Sequence, residues 1–152
     1  MATLKIDDAT ARKIYPAAAP ELKAILEKSY SPEFFSMKIT DRIKTVDDAF
    51  EACGIDKSKF LLDSDTKDEK GYKTAKVICM ALNEGWTSDW NNSSQYKYYP
   101  WFYMDGSGFR CGDCVSCYLG SSVGSRLCFR SSELAEYAGK QFVDVYRDFM
   151  TL

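Results

Sequence analysis

A chain of 152 residues has the length of one ordinary domain, which can bury a hydrophobic core without a metal or disulfides to hold it. Hydrophobic residues make up 45% of the chain and charged residues 28%, which excludes the disordered and fibrous classes. The formal net charge of −2 argues against a nucleic acid partner, because phosphate binding needs a dense basic surface.

The amino-terminal stretch "MATLKIDDATARKIY" lacks the apolar segment of a signal peptide, and the sequence contains no apolar run long enough to cross a bilayer. We therefore expect cytoplasmic synthesis and no insertion into a membrane. Thiols stay reduced in that compartment, so the six cysteines are expected to be buried residues or ligands rather than disulfides. The chain has no histidine, which removes the commonest general base and a frequent zinc ligand.

Short helices are predicted for the first half of the chain, where capping residues and prolines recur at helix starts. The longest is predicted from about Lys67 to Glu84, since apolar residues recur at helical spacing from Ala75 to Leu82 and Gly85 follows. The other predicted starts and caps are Asp7 or Asp8, for a helix that runs to about Tyr15, and then Pro20, Ser31 with Pro32, Thr45 and Asp56.

A small antiparallel sheet is predicted from about Tyr96 to Phe129. The aromatic run "YKYYPWFYM" at 96–104 has β-propensity, and "DGSG" at 105–108 has the composition of a tight turn. Pro100 has no N–H for a central ladder, so the first strand is expected at an edge or with a bulge. The alternation in "SRLCF" at 125–129 predicts a further strand.

An amphipathic helix is predicted at the carboxy terminus, from a cap at Ser131 or Ser132 through "ELAEYAGKQFVDVYRDFM". The predicted fold class is therefore α+β, with a helical amino-terminal half, a small antiparallel sheet, and this carboxy-terminal helix packed on the sheet. A single domain is expected, with a mainly helical region 1–85, a β-rich region 96–129 and a helix at 132–150.

Three cysteines, Cys111, Cys114 and Cys117, lie three residues apart in the stretch "RCGDCVSCYLGSSVG" at 110–124. Thiolates at this spacing can converge on a soft cation, and Cys128 is the nearest fourth thiolate. The bacterial ferredoxin motif begins in the same way, but it continues with a cysteine and a proline where this chain has serines. A zinc or iron–sulfur module with these four cysteines remains an alternative. A redox Cys-x-x-Cys site is less favoured, because no helix is predicted after it.

The window 105–132 has an unusual composition. Lys, Glu, Gln, Met and Trp occur 32 times in the chain, so about six would be expected among these 28 residues if they were spread evenly. The window contains none of them. These five amino acids are the ones that no codon ending in a pyrimidine encodes. Randomisation of asparagine codons at their adenines would therefore produce this composition.

Five stretches carry a resemblance to a known group of proteins, namely "ALNEGW" at 81–86, "YKYYPWF" at 96–102, "SGF" at 107–109, "VGSRLCF" at 123–129 and "ELAEYAGKQF" at 133–142. In them the chain resembles small uncharacterised proteins of gut Bacteroidetes and their phages. The resemblance implies that the stretch between "SGF" and "VGSR" varies among members, as in the target proteins of diversity-generating retroelements. It also implies a binding surface at Arg110 to Ser122 on a scaffold of the C-type-lectin-like kind.

The sequence thus predicts a non-enzymatic phage or phage-derived protein that presents the variable loop 110–122 to a protein or carbohydrate ligand. We expect no cofactor and no nucleic acid partner, and association with the virion is one option after cytoplasmic synthesis. The alternatives are the metal-binding module and a structural accessory protein. The predicted ligand-binding residues are Arg110, Cys111, Asp113, Cys114, Ser116, Cys117, Tyr118 and Ser121, supported by the aromatic residues Tyr98, Trp101, Tyr103 and Phe109.

Overall fold

The computed structural model describes residues 6–151 and divides the chain into two compact units, Met1–Arg42 and Ile43–Leu152. Over the described residues the chain is α+β, as predicted, with nine α-helices and one two-stranded antiparallel sheet. None of the helices within 6–151 combines the length and the apolar character needed to cross a bilayer. The expectation of a single domain stays a prediction.

The secondary structure elements follow one another along the chain with short connections. The helices are α1 (Asp8–Ile14), α2 (Pro20–Tyr30), α3 (Pro32–Ser36), α4 (Ile39–Arg42), α5 (Val46–Ala52), α6 (Lys57–Phe60), α7 (Lys67–Asn83), α8 (Ser132–Gln141) and α9 (Val143–Met150). The strands are β1 (Lys97–Asp105) and β2 (Gly108–Cys117). Two 3-10 helices span Tyr15–Ala17 and Ser125–Leu127.

The first unit contains α1 to α4, whose first three helices begin where the sequence predicts. The Asp7 carboxylate caps α1, and Pro20 and Pro32 occupy the first turns of α2 and α3. Aromatic rings pack within this unit, with Tyr15 stacked on Phe35 at a centroid separation of 3.9 Å. The Asp7 cap and the two prolines are therefore confirmed as helix starts. Ser31 precedes α3 with a φ of 72°, and its side chain forms no capping hydrogen bond, so its prediction as a cap is wrong.

The centre of the second unit is α7, which packs against α5, α8 and α9. The side chains of Ala75, Ile78 and Leu82 are fully buried, as the helical spacing predicts, and Val77 is fully buried as well. The helix approaches α9 at Gly71, where a Cβ atom would lie 3.0 Å from the Cβ of Asp148. Glycine weakens an isolated helix, but here Gly71 permits α7 to approach α9 closely.

The strands β1 and β2 form a hairpin whose turn is the predicted "DGSG" stretch, with Asp105 paired with Gly108. The register runs from that pair to Lys97 with Cys117 and is interrupted by a bulge next to Trp101. Both strands of a two-stranded sheet are edge strands, so the prediction that the strand with Pro100 is an edge or bulged strand is confirmed. The helix α8 packs against both strands.

The structure corrects three further details of the sequence prediction. The stretch 125–129 is not a strand, because Gly124 (φ 69°) turns the chain into a 3-10 helix and only Phe129 forms a bridge, with Tyr98. The stretch 110–117 belongs to β2 rather than to a loop, because it pairs with β1. The carboxy-terminal helix is interrupted at Phe142, whose backbone leaves the helical region (φ −115°, ψ 31°).

Candidate functional site

One side of the hairpin, the helix-facing side, packs against α8 and α9. Gly139 of α8 lies directly over the strands, since a Cβ atom there would lie 2.5 Å from Sγ of Cys111 and 2.7 Å from Cβ of Pro100. The Phe102 ring lies 4.8 Å from the ring of Tyr146 in α9. These contacts fix the hairpin on the helices and set which strand residues point away from them.

The bulge in β2 decides where two of the three clustered cysteines point. Trp101 pairs with Asp113 and Phe102 pairs with Cys111, so Gly112 is the extra residue. Side chains of a regular strand alternate between its sides, so residues 111 and 114 would point in opposite directions. The extra residue cancels that alternation and places Cys111 and Cys114 on the helix-facing side.

The opposite side, the free side, is exposed near the turn of the hairpin. The Tyr103 ring covers Gly112, and the Arg110 guanidinium lies 4.6 Å from the ring centroid. Arg110 also forms an ion pair of 2.8 Å with Asp105. A hydrogen bond from the Ser107 N–H and the nearby Arg110 charge lower the pKa of Asp105. Together with exposed Trp101, these residues form an aromatic surface with a fixed charge pattern.

A second aromatic surface, the tyrosine cluster, lies at the far end of the hairpin. The ring of Tyr96 lies 5.9 Å from that of Tyr98 and 4.3 Å from that of Tyr118. The Tyr118 hydroxyl donates to the Tyr96 hydroxyl, which raises the pKa of Tyr118. Ser116 pairs with Tyr98 and is exposed beside it. Two residues of the predicted variable segment thus adjoin tyrosines outside it.

Cys117 and Cys128 lie apart from the other two cysteines of the predicted metal set. Cys117 follows Cys114 by three residues without a bulge, so it points to the side opposite Cys114, and its Sγ lies 3.7 Å from the Lys97 carbonyl oxygen. The Sγ of Cys128 lies 3.1 Å from the Gly124 carbonyl oxygen, and burial raises the pKa of this thiol. The fold therefore does not bring Cys111, Cys114, Cys117 and Cys128 together as four ligands.

Over residues 6–151, one group of potential ligands comes within 4.8 Å of one another, namely a carboxylate oxygen of Asp113, Sγ of Cys114 and a carboxylate oxygen of Glu136 in α8. Three such ligands would suit a divalent cation by number. Burial, and then the two carboxylates, raise the pKa of Cys114, which favours the neutral thiol over the thiolate that binds metals. The group lies where β2 contacts α8.

Lys97 anchors both ends of the hairpin and was not singled out by sequence reasoning. Its side chain is fully buried, and Nζ donates to the carbonyl oxygens of Asn92 (3.3 Å), Gln95 (3.0 Å) and Tyr118 (2.8 Å). The ammonium also lies 5.0 Å from the Trp90 ring centroid. The Lys97 ammonium therefore holds both the loop before β1 and the loop after β2 by hydrogen bonds.

Asn83, at the end of α7, is a second buried anchor. Its Nδ2 donates to the Cys128 carbonyl oxygen at 2.8 Å, and its Oδ1 accepts from the Arg130 N–H at 3.0 Å. The Arg130 guanidinium bonds back to the Asn83 carbonyl oxygen and to Glu84. A single lysine in an aromatic run and a single asparagine at a helix end are the sequence signals that could have pointed to these two anchors.

The predicted site residues divide by exposure, and they do not form one pocket. Phe109 and Tyr98 are half-buried, with Phe109 stacked on Phe102, while Trp101 and Tyr103 are exposed. The half-buried members of the predicted ligand-binding set are Cys111, Cys114 and Cys117. Its exposed members are Arg110, Asp113, Ser116, Tyr118 and Ser121.

Comparisons of this chain with protein-family models, with curated proteins and with solved structures found no match.

Proposed function

We propose that this chain is a non-enzymatic phage or phage-derived protein that displays the segment 110–122 to a protein or carbohydrate ligand. The observation that carries the proposal is the position of the segment's exposed residues, which adjoin aromatic rings outside the segment. Arg110 lies on Tyr103 and Tyr118 lies against Tyr96. Aromatic side chains that order few torsions on binding, mixed with small polar ones, suit an adaptable contact surface.

The rest of the chain supports the proposal by forming a frame that does not depend on the exposed residues. "ALNEGW" is joined to "VGSRLCF" through Asn83, and "YKYYPWF" is joined to it through the bridge between Tyr98 and Phe129. "ELAEYAGKQF" packs on "YKYYPWF" at Gly139, and the ring of Phe109 in "SGF" stacks on Phe102. All five stretches that carry the resemblance therefore contact one another, and the exposed residues between them can change without breaking these joints.

The scaffold in this proposal is a hairpin on two helices, and a C-type-lectin-like origin remains part of the proposal. The four-cysteine module is not favoured as a second function, because Cys117 points to the side opposite Cys111 and Cys114, and Cys128 lies in the stretch that follows β2. Elemental analysis of the purified protein checks this point. We expect no stoichiometric zinc or iron, and metal that is lost on Cys114→Ser would contradict the display function.

Sequencing of the encoding locus from many isolates tests the proposal directly. We expect substitutions to concentrate at adenine positions of codons 110 to 122, with a near-repeat of this DNA and a reverse-transcriptase gene nearby. Codons 81 to 86 and 133 to 142 serve as the matched control within the same gene. A locus that is invariant at 110 to 122, or that varies equally in the control codons, would defeat the proposal.

A further inference from the structure

The segment contains two kinds of positions, and the first kind is exposed beside an aromatic residue outside the segment. Such a side chain lies against a ring surface and solvent, although Arg110 also pairs with exposed Asp105 and the Asp113 carboxylate lies within 4.8 Å of half-buried Glu136. These neighbours are side chains that can move, so a substitution has room. The four pairs of segment residue and aromatic neighbour are Arg110 with Tyr103, Asp113 with Trp101, Ser116 with Tyr98, and Tyr118 with Tyr96.

The second kind is half-buried against the frame and consists of Val115 and the three cysteines Cys111, Cys114 and Cys117. Position 111 is the most confined, because its side chain lies against the backbone of α8 at Gly139. A Cβ atom added at Gly139 would lie 2.5 Å from the Cys111 sulfur. A longer side chain there meets a helix backbone, which cannot rotate away. Position 114 adjoins Glu136, and position 117 adjoins the Lys97 backbone.

We infer that ligand specificity resides in Arg110, Asp113, Ser116 and Tyr118, and that the three cysteine positions are limited to small side chains and carry none of it. This inference rests on the proposed function. Asparagine codons randomised at their adenines encode Phe, Tyr, Leu and His as well as Ser, Gly, Ala and Cys. Large products are acceptable at the exposed positions, whereas at 111 they force α8 away from the hairpin.

Two libraries of the full chain displayed on yeast test the inference. One randomises codons 110, 113, 116 and 118 over all pyrimidine-ended codons, and the other does the same at 111, 114 and 117. Protease resistance measures folding, and selection on hen egg-white lysozyme as the probe measures binding. A third library at the exposed positions Asp63, Ser64 and Asn91 is the matched control, because it also leaves the frame intact.

We expect most members of the first library to stay protease-resistant and to yield lysozyme binders. The second library should lose Phe, Tyr and Leu at position 111 at least tenfold among resistant members. The control library should fold and yield no binders. Equal tolerance of large residues at 111 and at 116 would overturn the size limit. A first library without binders, or with no more than the control, would overturn the assignment of specificity. An invariant natural locus would contradict the proposed function alone.

Discussion

At the scale of single residues, two glycines fix the hairpin by different means. Gly139 is enclosed by Cys111 and Pro100, whose atoms are held by the strand backbone. Gly112 is covered by the ring of Tyr103, which is the far end of an exposed side chain. The same added methyl group therefore meets a rigid neighbour at one position and a mobile one at the other.

Substitution of Gly139 by Ala should lower the free energy of unfolding by about 1–2 kcal/mol. Overpacking costs about 1–3 kcal/mol, and the better helix propensity of alanine returns up to about 1 kcal/mol. Urea denaturation measures the difference. Gly120→Ala is the control, because nothing lies within 4 Å of a Cβ atom there, and it should change stability by less than about 1 kcal/mol. Equal behaviour of the two variants would mean that α8 does not confine the strands.

Gly112→Ala should cost less than about 1 kcal/mol, because the Tyr103 ring can rotate to another rotamer. The ring then leaves the Arg110 guanidinium, so we expect its proton resonances to shift in NMR spectra while those of the buried Phe102 stay in place. Tyr103→Ala removes the ring that the added methyl group meets. The double variant should therefore be as stable as the Tyr103→Ala variant alone. A loss above about 2 kcal/mol would show that the bulge needs glycine for its backbone.

At the scale of elements, the sequence predicts what local chemistry determines. Caps and prolines place the helix starts, and "DGSG" places the hairpin turn. The strand β2 was missed because its glycines and polar residues have weak β-propensity, and the ladder with β1 supplies the missing preference. The break at Phe142 was missed because the apolar residues continue at helical spacing across it. The Phe142 ring is buried in the core although its backbone leaves the helix.

Deletion of Gly112 tests the role of the bulge as an element of register. Without the extra residue, Cys111 directly precedes Asp113 and still pairs with Phe102, so the ladder becomes regular and Phe109 stays on the helix-facing side. We therefore expect this deletion to change the free energy of unfolding little. Deletion of Arg110, which lies in the regular part of β2, is the matched control, because it turns Phe109 to the free side. Removal of the Phe109 ring from its stack on Phe102 should lower the free energy of unfolding by at least about 2 kcal/mol. Equal stabilities of the two deletions, measured in urea, would show that Gly112 is not an extra residue in the register.

At the scale of the molecule, the frame is built from stretches far apart in the sequence. Neither anchor was predicted, because a buried Lys97 or Asn83 has meaning only when its partners at Tyr118 or Cys128 are known. The same limit applies to the cysteines, whose spacing suggested one site, whereas the fold places Cys117 on the side opposite Cys111 and Cys114. Composition marks the window 105–132 and the resemblance implies the segment 110–122, but only tertiary contacts separate the exposed positions of the segment from its confined ones.

Substitution of Asn83 by Ala should be among the most destabilising changes outside the apolar core. It leaves the Arg130 N–H without its partner, and it leaves the buried Cys128 carbonyl with only the weak thiol donor of Cys79, at a joint between residues more than 40 apart in the sequence. Each unsatisfied group costs about 1–3 kcal/mol, so we expect a loss of about 2–4 kcal/mol in urea denaturation. Asn91→Ala, at an exposed asparagine, should change stability by less than about 0.5 kcal/mol. A joint that holds the frame together must also unfold with it. Tryptophan fluorescence, from Trp101 in β1 and from Trp86 and Trp90 before it, and far-ultraviolet dichroism from the helices should therefore change in one shared transition. Separate transitions in the parent chain would show that the hairpin and α7 are not one cooperative frame.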